Sequence, residues 1–240
     1  MNDIGILACG PVRDELVATH GEYPAMIARL LQDVDPSVRT TAYRVYLDEF
    51  PVDVTAHGAY IISGSRFSVY DPDPWIARLE AFVRALHAAR IPTVGICFGH
   101  QLISRALGGA ADKAPQGWGI GRHVAQVLHR PAWMQPPAAQ YGVFVSHQDQ
   151  VTQLPPGAAR LATSAHCPNA MFVLDDVLLG IQGHPEFTGA FAHALAAGRG
   201  AVYGEDVLAA ALPTYCEPVD SALLARWMLQ FIAQSRSTRG

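Results

Sequence analysis

Residues 91–108, Ile91-Pro-Thr-Val-Gly-Ile-Cys-Phe-Gly-His-Gln-Leu-Ile-Ser-Arg-Ala-Leu-Gly108, constrain the fold more than any other stretch of the chain. The stretch opens with an apolar run, Ile91 to Ile96, of the length of a buried strand. It closes with Leu102, Ile103, Ala106 and Leu107 at helical spacing, and Gly108-Gly109 as a stop. Between them stands Gly95-Ile96-Cys97-Phe98-Gly99, the glycine-bracketed pattern of a sharp strand-to-helix turn, with cysteine as the nucleophile. The glycines are expected for steric reasons. A nucleophile held in a strained backbone conformation brings its neighbours two positions away close to other backbone. The same geometry sets the Cys97 thiol at a helix N-terminus, where the dipole favours thiolate.

A cysteine nucleophile needs a base, and the base needs an orienting acceptor. Gly180-Ile-Gln-Gly-His-Pro-Glu-Phe187 supplies both types, at the end of the apolar run Val177 to Ile181. Pro185 biases His184 away from helix. In extended backbone, residues i and i+2 point to one face, so the His184 imidazole and the Glu186 carboxylate can stand side by side. Strand ends are where doubly wound folds build their sites.

With these motifs in hand, the sequence resembles the class I (triad) glutamine amidotransferase domain. The likeness extends to Ile62-Ser-Gly-Ser65, Trp118-Gly-Ile-Gly121 and Ser146-His-Gln-Asp-Gln-Val151. The Ser-His-x-Asp-x-Val segment and the chain length are most similar to the free-standing branch. That branch is related to the amidotransferase domain of GMP synthase and includes the gamma-glutamyl peptidases. The resemblance implies acyl transfer. Cys97 attacks a γ-glutamyl amide, His184 protonates the leaving ammonia or amine, and water cleaves the γ-glutamyl thioester while Glu186 holds the imidazole.

The residue after an elbow nucleophile supplies one oxyanion donor, here the Phe98 N–H. The resemblance implies that the second comes from the Ser63-Gly64-Ser65 segment, as Gly64 or Ser65. It also implies that Gln101 and the stretch Ser146, His147, Gln148 and Asp149 hold the amino-acid end of the substrate, the stretch largely through backbone. We read His100 and His147 as structural rather than catalytic, and Trp118 as a packing residue. Arg66 replaces the Gly-Pro-rich continuation of many relatives, which opens the question of how the oxyanion loop is shaped.

Composition narrows the alternatives. Among 240 residues half are apolar, enough for a full core, and the net charge of −4 argues against a nucleic-acid surface. Lys113 is the one lysine beside sixteen arginines, which we read as compositional bias. Cys9, Cys97, Cys167 and Cys216 show no metal-ligand spacing and no disulfide framework, so no metal and no cofactor are expected. A catalytic thiol fits a reducing compartment, and no signal peptide or membrane span is evident, so a cytoplasmic protein is expected.

Taken in order, the pattern predicts strands at Ile4–Cys9, Thr40–Leu47, Gly58–Ile62 and Ile91–Ile96, and helices at Tyr23–Val34 and from Asp73-Pro74 to about Arg90. Strand and helix in alternation imply a doubly wound α/β fold, a mostly parallel sheet with helices on both faces. Short strands at Gly119–Leu128, Gly142–Ser146, Arg160–Ser164, Met171–Leu174 and Leu178–Gln182 imply an antiparallel β extension. Helices are expected at Phe187–Gly198, Val207–Leu212 and Asp220–Ser235, with Ser235–Gly240 a frayed tail of one 1–240 domain. Three functions fit: a free-standing hydrolase of γ-glutamyl bonds, a glutaminase subunit feeding a separate synthetase, or a non-catalytic protein on the same fold.

Overall fold

A computed structural model describes residues 3–237. The first strands alternate side chains between two apolar layers, as a sheet buried on both faces requires. In β1 (Asp3–Ala8), Ile4 and Ile6 face one layer and Leu7 the other; in β3 (Ala59–Ile62), Ala59 and Ile61 oppose Tyr60 and Ile62. Two helices cover the first layer. They are α2 (Tyr23–Gln32), through Ile27 and Leu31, and α8 (Ser221–Ser237), through Leu224, Trp227, Met228 and Phe231. The second layer is covered by α3 (Pro74–Ala88), through Leu79, Val83 and Leu86, and by α4 (Phe98–Ala106), through Leu102 and Ile103. Leu102 and Ile103 are wholly buried, worth ~1.5–3 kcal/mol each in anchoring the helix that follows the elbow.

Among the described residues the sheet has nine strands. Its parallel half runs β2 (Arg39–Arg44), β1, β3, β4 (Thr93–Ile96), β11 (Leu178–Ile181). The antiparallel extension continues with β10 (Met171–Leu174), β9 (Ala159–Ser164), β6 (Gly119–Val127) and β7 (Gln140–His147). One pairing positions the site. β11 lies parallel beside β4 with Gly180 opposite Gly95 and Ile181 opposite Ile96. Two segments 85 residues apart in sequence therefore leave the sheet side by side at their C-terminal ends. The Cys97 N–H donates to Ile181 O at 2.9 Å and fixes that exit.

Several elements differ from the sequence reading. The second strand stops at Arg44; Val45–Leu47 is a 3₁₀ turn closed by Asp48 at φ 65°. A helix α1 (Asp14–His20) precedes α2 and buries none of its residues, so it leaves no apolar stripe to read. A two-stranded ribbon pairs β5 (Ala110–Lys113) with β8 (Asp149–Gln153), and few of its side chains are apolar. Helix α5 (Gly189–Ala197) begins after Thr188, whose Oγ accepts from the Phe191 N–H. Two short helices follow, α6 (Gly200–Tyr203) and α7 (Glu205–Ala211). Helix α8 continues past Ser235. That side chain is buried, with Oγ within hydrogen-bond reach of Asp176 O and Phe231 O. Of the expected tail, 238–240 lie outside the described residues.

Candidate active site

Cys97 ends β4 and opens α4 at φ 51°, ψ −100°, a backbone conformation L residues rarely adopt. The flanking glycines are there for the reason the sequence suggests. A Cβ on Gly95 would lie 2.4 Å from the Gly99 carbonyl, and one on Gly99 would lie 2.5 Å from Ile62 O. No side chain fits at either place, because the obstacles are backbone. The thiol is 4 % exposed.

Across from it, His184 hangs from the end of β11, its N–H bonded to Phe144 O at 2.8 Å. Nδ1–H donates to Glu186 Oε1 at 2.8 Å, and both side chains are buried. Phe187 stacks on the imidazole, ring centroids 3.9 Å apart and 11° between planes. Burial alone disfavours the imidazolium. The Cys97 sulfur and the Glu186 carboxylate, through charge and hydrogen bonding, outweigh that penalty and push His184 up to about 10.

Gln182 was part of the motif but had no role in the sequence reading. Its Oε1 accepts from His100 Nδ1 at 3.1 Å and from Gln101 Nε2 at 3.2 Å. Two donors on the oxygen fix the amide, so its Nε2–H points to Cys97 Sγ at 3.5 Å. His100 therefore acts through Gln182. Gln101 is 3 % exposed, and its Nε2 also donates to Asp149 O at 2.8 Å. Its amide nitrogen is engaged by the protein itself, and it braces the Ser146–Asp149 stretch.

That stretch lies beside the elbow. Ser146, His147, Gln148 and Asp149 line one small cavity with Cys97 and Phe98. Ser146 Oγ meets Tyr203 OH at 3.2 Å, and the buried His147 donates from Nδ1 to Asp149 O at 3.0 Å. Gln148 carries the ribbon, its carbonyl accepting from Ala114 N–H. The Asp149 carboxylate is taken by Ser68 Oγ at 2.6 Å and Tyr70 OH at 3.0 Å. These two bonds reach across the cavity and fasten the loop after Ser65. Ser65 Oγ itself donates to Cys9 O at 2.6 Å, and the Arg105 guanidinium donates to Val69 O. Arg66 and Phe67 thus sit in a loop held by the chain's own residues.

Gly64 packs against the site. A Cβ there would fall 2.6 Å from His184 Cε1 and 3.6 Å from Cys97 Cβ. The N–H groups of Gly64, Ser65 and Phe98 make no hydrogen bond to another described residue. No group of three or more His, Cys, Asp or Glu among the described residues is arranged to hold a metal ion.

Four histidines around this region are held neutral, chiefly by burial. His100 and His123 are lowered to about 4, and His147 and His166 are also lowered. Their folded-state pKa lies below the unfolded value of about 6.5. Their stabilising contribution is therefore fully present above pH 6.5 and lost as pH falls toward 4. His184 has the opposite sign: its contribution is complete below about 6.5 and declines only as pH rises toward 10. We expect the unfolding temperature to drop between pH 6.5 and 4, with His100 alone costing about 3 kcal/mol at 1.36 kcal/mol per pKa unit. Calorimetry across that range checks this; a flat profile contradicts it.

Comparison with known proteins shows the family. The family model for glutamine amidotransferase class-I matches residues 22–194. Gamma-glutamyl peptidase 4 of Arabidopsis thaliana is 32% identical over 176 residues, covering 70% of this chain and 69% of the relative. GMP synthase [glutamine-hydrolyzing] of Limosilactobacillus reuteri is 34% identical over 200 residues, which are 81% of this chain but only 35% of that protein. The crystal structure of glutamine amido transferase from Methylobacillus flagellatus superposes with a TM-score of 0.78 at 21% identity, covering 99% of this chain and 95% of that one, and shows a shared fold. The chain therefore belongs to the class-I glutamine amidotransferase family.

Proposed function

We propose that this protein hydrolyses γ-glutamyl amide bonds by itself, with Cys97 as nucleophile, His184 as acid and base, and Glu186 as the group that holds the imidazole. The Cys97 thiolate adds to the γ-carbonyl carbon. Phe98 N–H, with Gly64 or Ser65 N–H, takes up the charge on the carbonyl oxygen. The carbon–nitrogen bond breaks as His184 delivers its proton to the departing nitrogen. Water then adds to the thioester, giving one proton back to His184, and the carbon–sulfur bond breaks to release glutamate. A thiol in this role suits a reducing compartment, the cytoplasm; no described helix is long and apolar enough to cross a membrane.

One observation carries the choice of leaving group. Two cavities adjoin at the site and share Ser65, Arg66, Ser146 and Arg199 as lining. The one lined by Cys97, Phe98 and Gln101 holds about 200 Å³; the one lined by His184, Phe187 and Tyr23 holds about 540 Å³. Ammonia is close to water in size, whose share of liquid volume is about 30 Å³. The space on the histidine side exceeds that more than tenfold and suits an amine of amino-acid or peptide size. The fastened loop after Ser65 adds support, since a site that waits for a synthetase has no need of it. On the isolated chain, kcat/KM for a γ-glutamyl dipeptide should exceed that for glutamine by at least ~10-fold, about 1.4 kcal/mol of transition-state discrimination.

The likeness to part of GMP synthase favours a second reading, a glutaminase subunit that passes ammonia to a separate synthetase. Cleavage of glutamine alone, and only after a synthetase is added, establishes that reading in place of the first.

A further inference from the structure

Resting on the γ-glutamyl hydrolase reading, the charge around the larger cavity narrows the substrate class. Apart from His184, whose charge is met by Glu186, five charged side chains line it: Arg13, Asp14, Glu15, Arg66 and Arg199. Arg13 is spent, since it pairs with Glu15 and donates to Gly198 O at 2.6 Å. Asp14 remains against two guanidiniums, Arg66 and Arg199, and the balance is one positive charge. Neither arginine has a carboxylate partner among the described residues.

Arg199 is the better built of the two. It precedes α6, half-buried, with its guanidinium carbon 5.0 Å from the Trp118 ring centre and 5.2 Å from that of Tyr203. Trp118 and Tyr203 meet edge to face at 5.0 Å, so the two rings form a corner. Aromatic contact through the guanidinium face leaves the in-plane N–H groups to donate elsewhere, in the forked geometry that matches a carboxylate. Arg66 sits over Phe67 at 5.2 Å, and both arginines line the smaller cavity as well. A carboxylate at this junction has two possible sources, the leaving amine or the glutamyl group's own α-carboxylate. The smaller cavity has a cation of its own in Lys113, and in the larger one Arg66 and Arg199 are cations with no carboxylate partner among the described residues.

We infer that Arg199, with Arg66, binds a carboxylate on the leaving amine, so that the preferred substrates are γ-glutamyl amino acids and peptides rather than γ-glutamyl alkylamines or polyamines. The test compares γ-glutamylglycine with γ-glutamylglycinamide, which differ by that one charge. Turnover is measured on the full chain, and binding by calorimetry on the Cys97→Ala chain. For the unaltered site kcat/KM should favour the acid by about 10- to 100-fold, the range of a charge-assisted hydrogen bond. Arg199→Gln should bring that ratio to within about 3-fold of unity, with the loss falling mainly on KM because ground state and transition state share the contact. Arg199→Lys, which keeps the charge but not the planar fork, should restore part of the ratio, and Arg66→Gln should lower it less than Arg199→Gln.

A ratio unaltered in Arg199→Gln overturns the inference and leaves the hydrolase reading standing. An equal loss on acid and amide assigns Arg199 to the glutamyl carboxylate and also overturns it. Absence of both binding and turnover with either compound removes the hydrolase reading and the inference together.

Discussion

Cys97→Ala and Cys97→Ser should each lower kcat/KM by ~10⁴-fold or more, as loss of a nucleophile that acts together with its base does, while circular dichroism and unfolding temperature stay near those of the unaltered protein. The expectation rests on the placement of the thiol. Sulfur is both the attacking atom and the group expelled when the thioester breaks, and a hydroxyl at the same place lacks the acidity to be ionised by His184. A glutamine-analogue diazo-ketone should label Cys97 and spare the other three cysteines. Cys9 and Cys167 are buried, and burial pushes both thiols up, Cys167 to about 12. Cys216 is exposed, so a plain alkylating reagent will reach it, but it lines neither cavity of the site. Label spread evenly over all four cysteines contradicts the elbow assignment.

His184→Ala should cost ~10²–10⁴-fold in kcat, the usual share of general acid–base catalysis. Glu186→Gln should cost less, because the isosteric amide can still accept from Nδ1–H and keep the ring in place. What the amide cannot do is stabilise the imidazolium. The Glu186 carboxylate is among the groups that push His184 up to about 10. The alkaline limb of the pH–rate profile should therefore move to lower pH in Glu186→Gln, with the acid side altered less. Equal losses in two folded variants, or an alkaline limb that does not move, would give Glu186 a different part from the one assigned here.

The elbow and the His-Pro-Glu segment were legible in the sequence because each is a local steric or chemical requirement. Gly95 and Gly99 are glycine for want of space against Gly99 and Ile62 backbone, and such constraints leave their mark at fixed offsets. That the two segments meet also followed from pattern: both end apolar runs, and strand ends in such sheets converge. The Ser63-Gly64-Ser65 segment was marked by the family resemblance, but the fastening of the loop after it was not. The bonds from Ser68 and Tyr70 to Asp149 span 81 and 79 residues, and nothing local in a serine or a tyrosine announces a distant carboxylate. Gln101 shows the same limit. Its position at the site was readable, while its bonds to Asp149 and Gln182 depend on how β8 and β11 arrive there. Arg199 was missed because it lies in an Ala- and Gly-rich stretch with no periodic signal, and its meaning comes from Trp118 and Tyr203 folding around it. The cavity it lines is also walled by the start of α1, a helix with no buried face for sequence to reveal.

The central claim is a γ-glutamyl thioester on Cys97, and rapid-quench intact-protein mass spectrometry during turnover of a γ-glutamyl dipeptide tests it most directly. The account predicts a transient adduct of one γ-glutamyl group per chain, mapped to the peptide containing Cys97, discharged by hydroxylamine and absent from Cys97→Ala. Turnover that proceeds with no adduct at any time point, or an adduct carried by Cys9, Cys167 or Cys216, would contradict it.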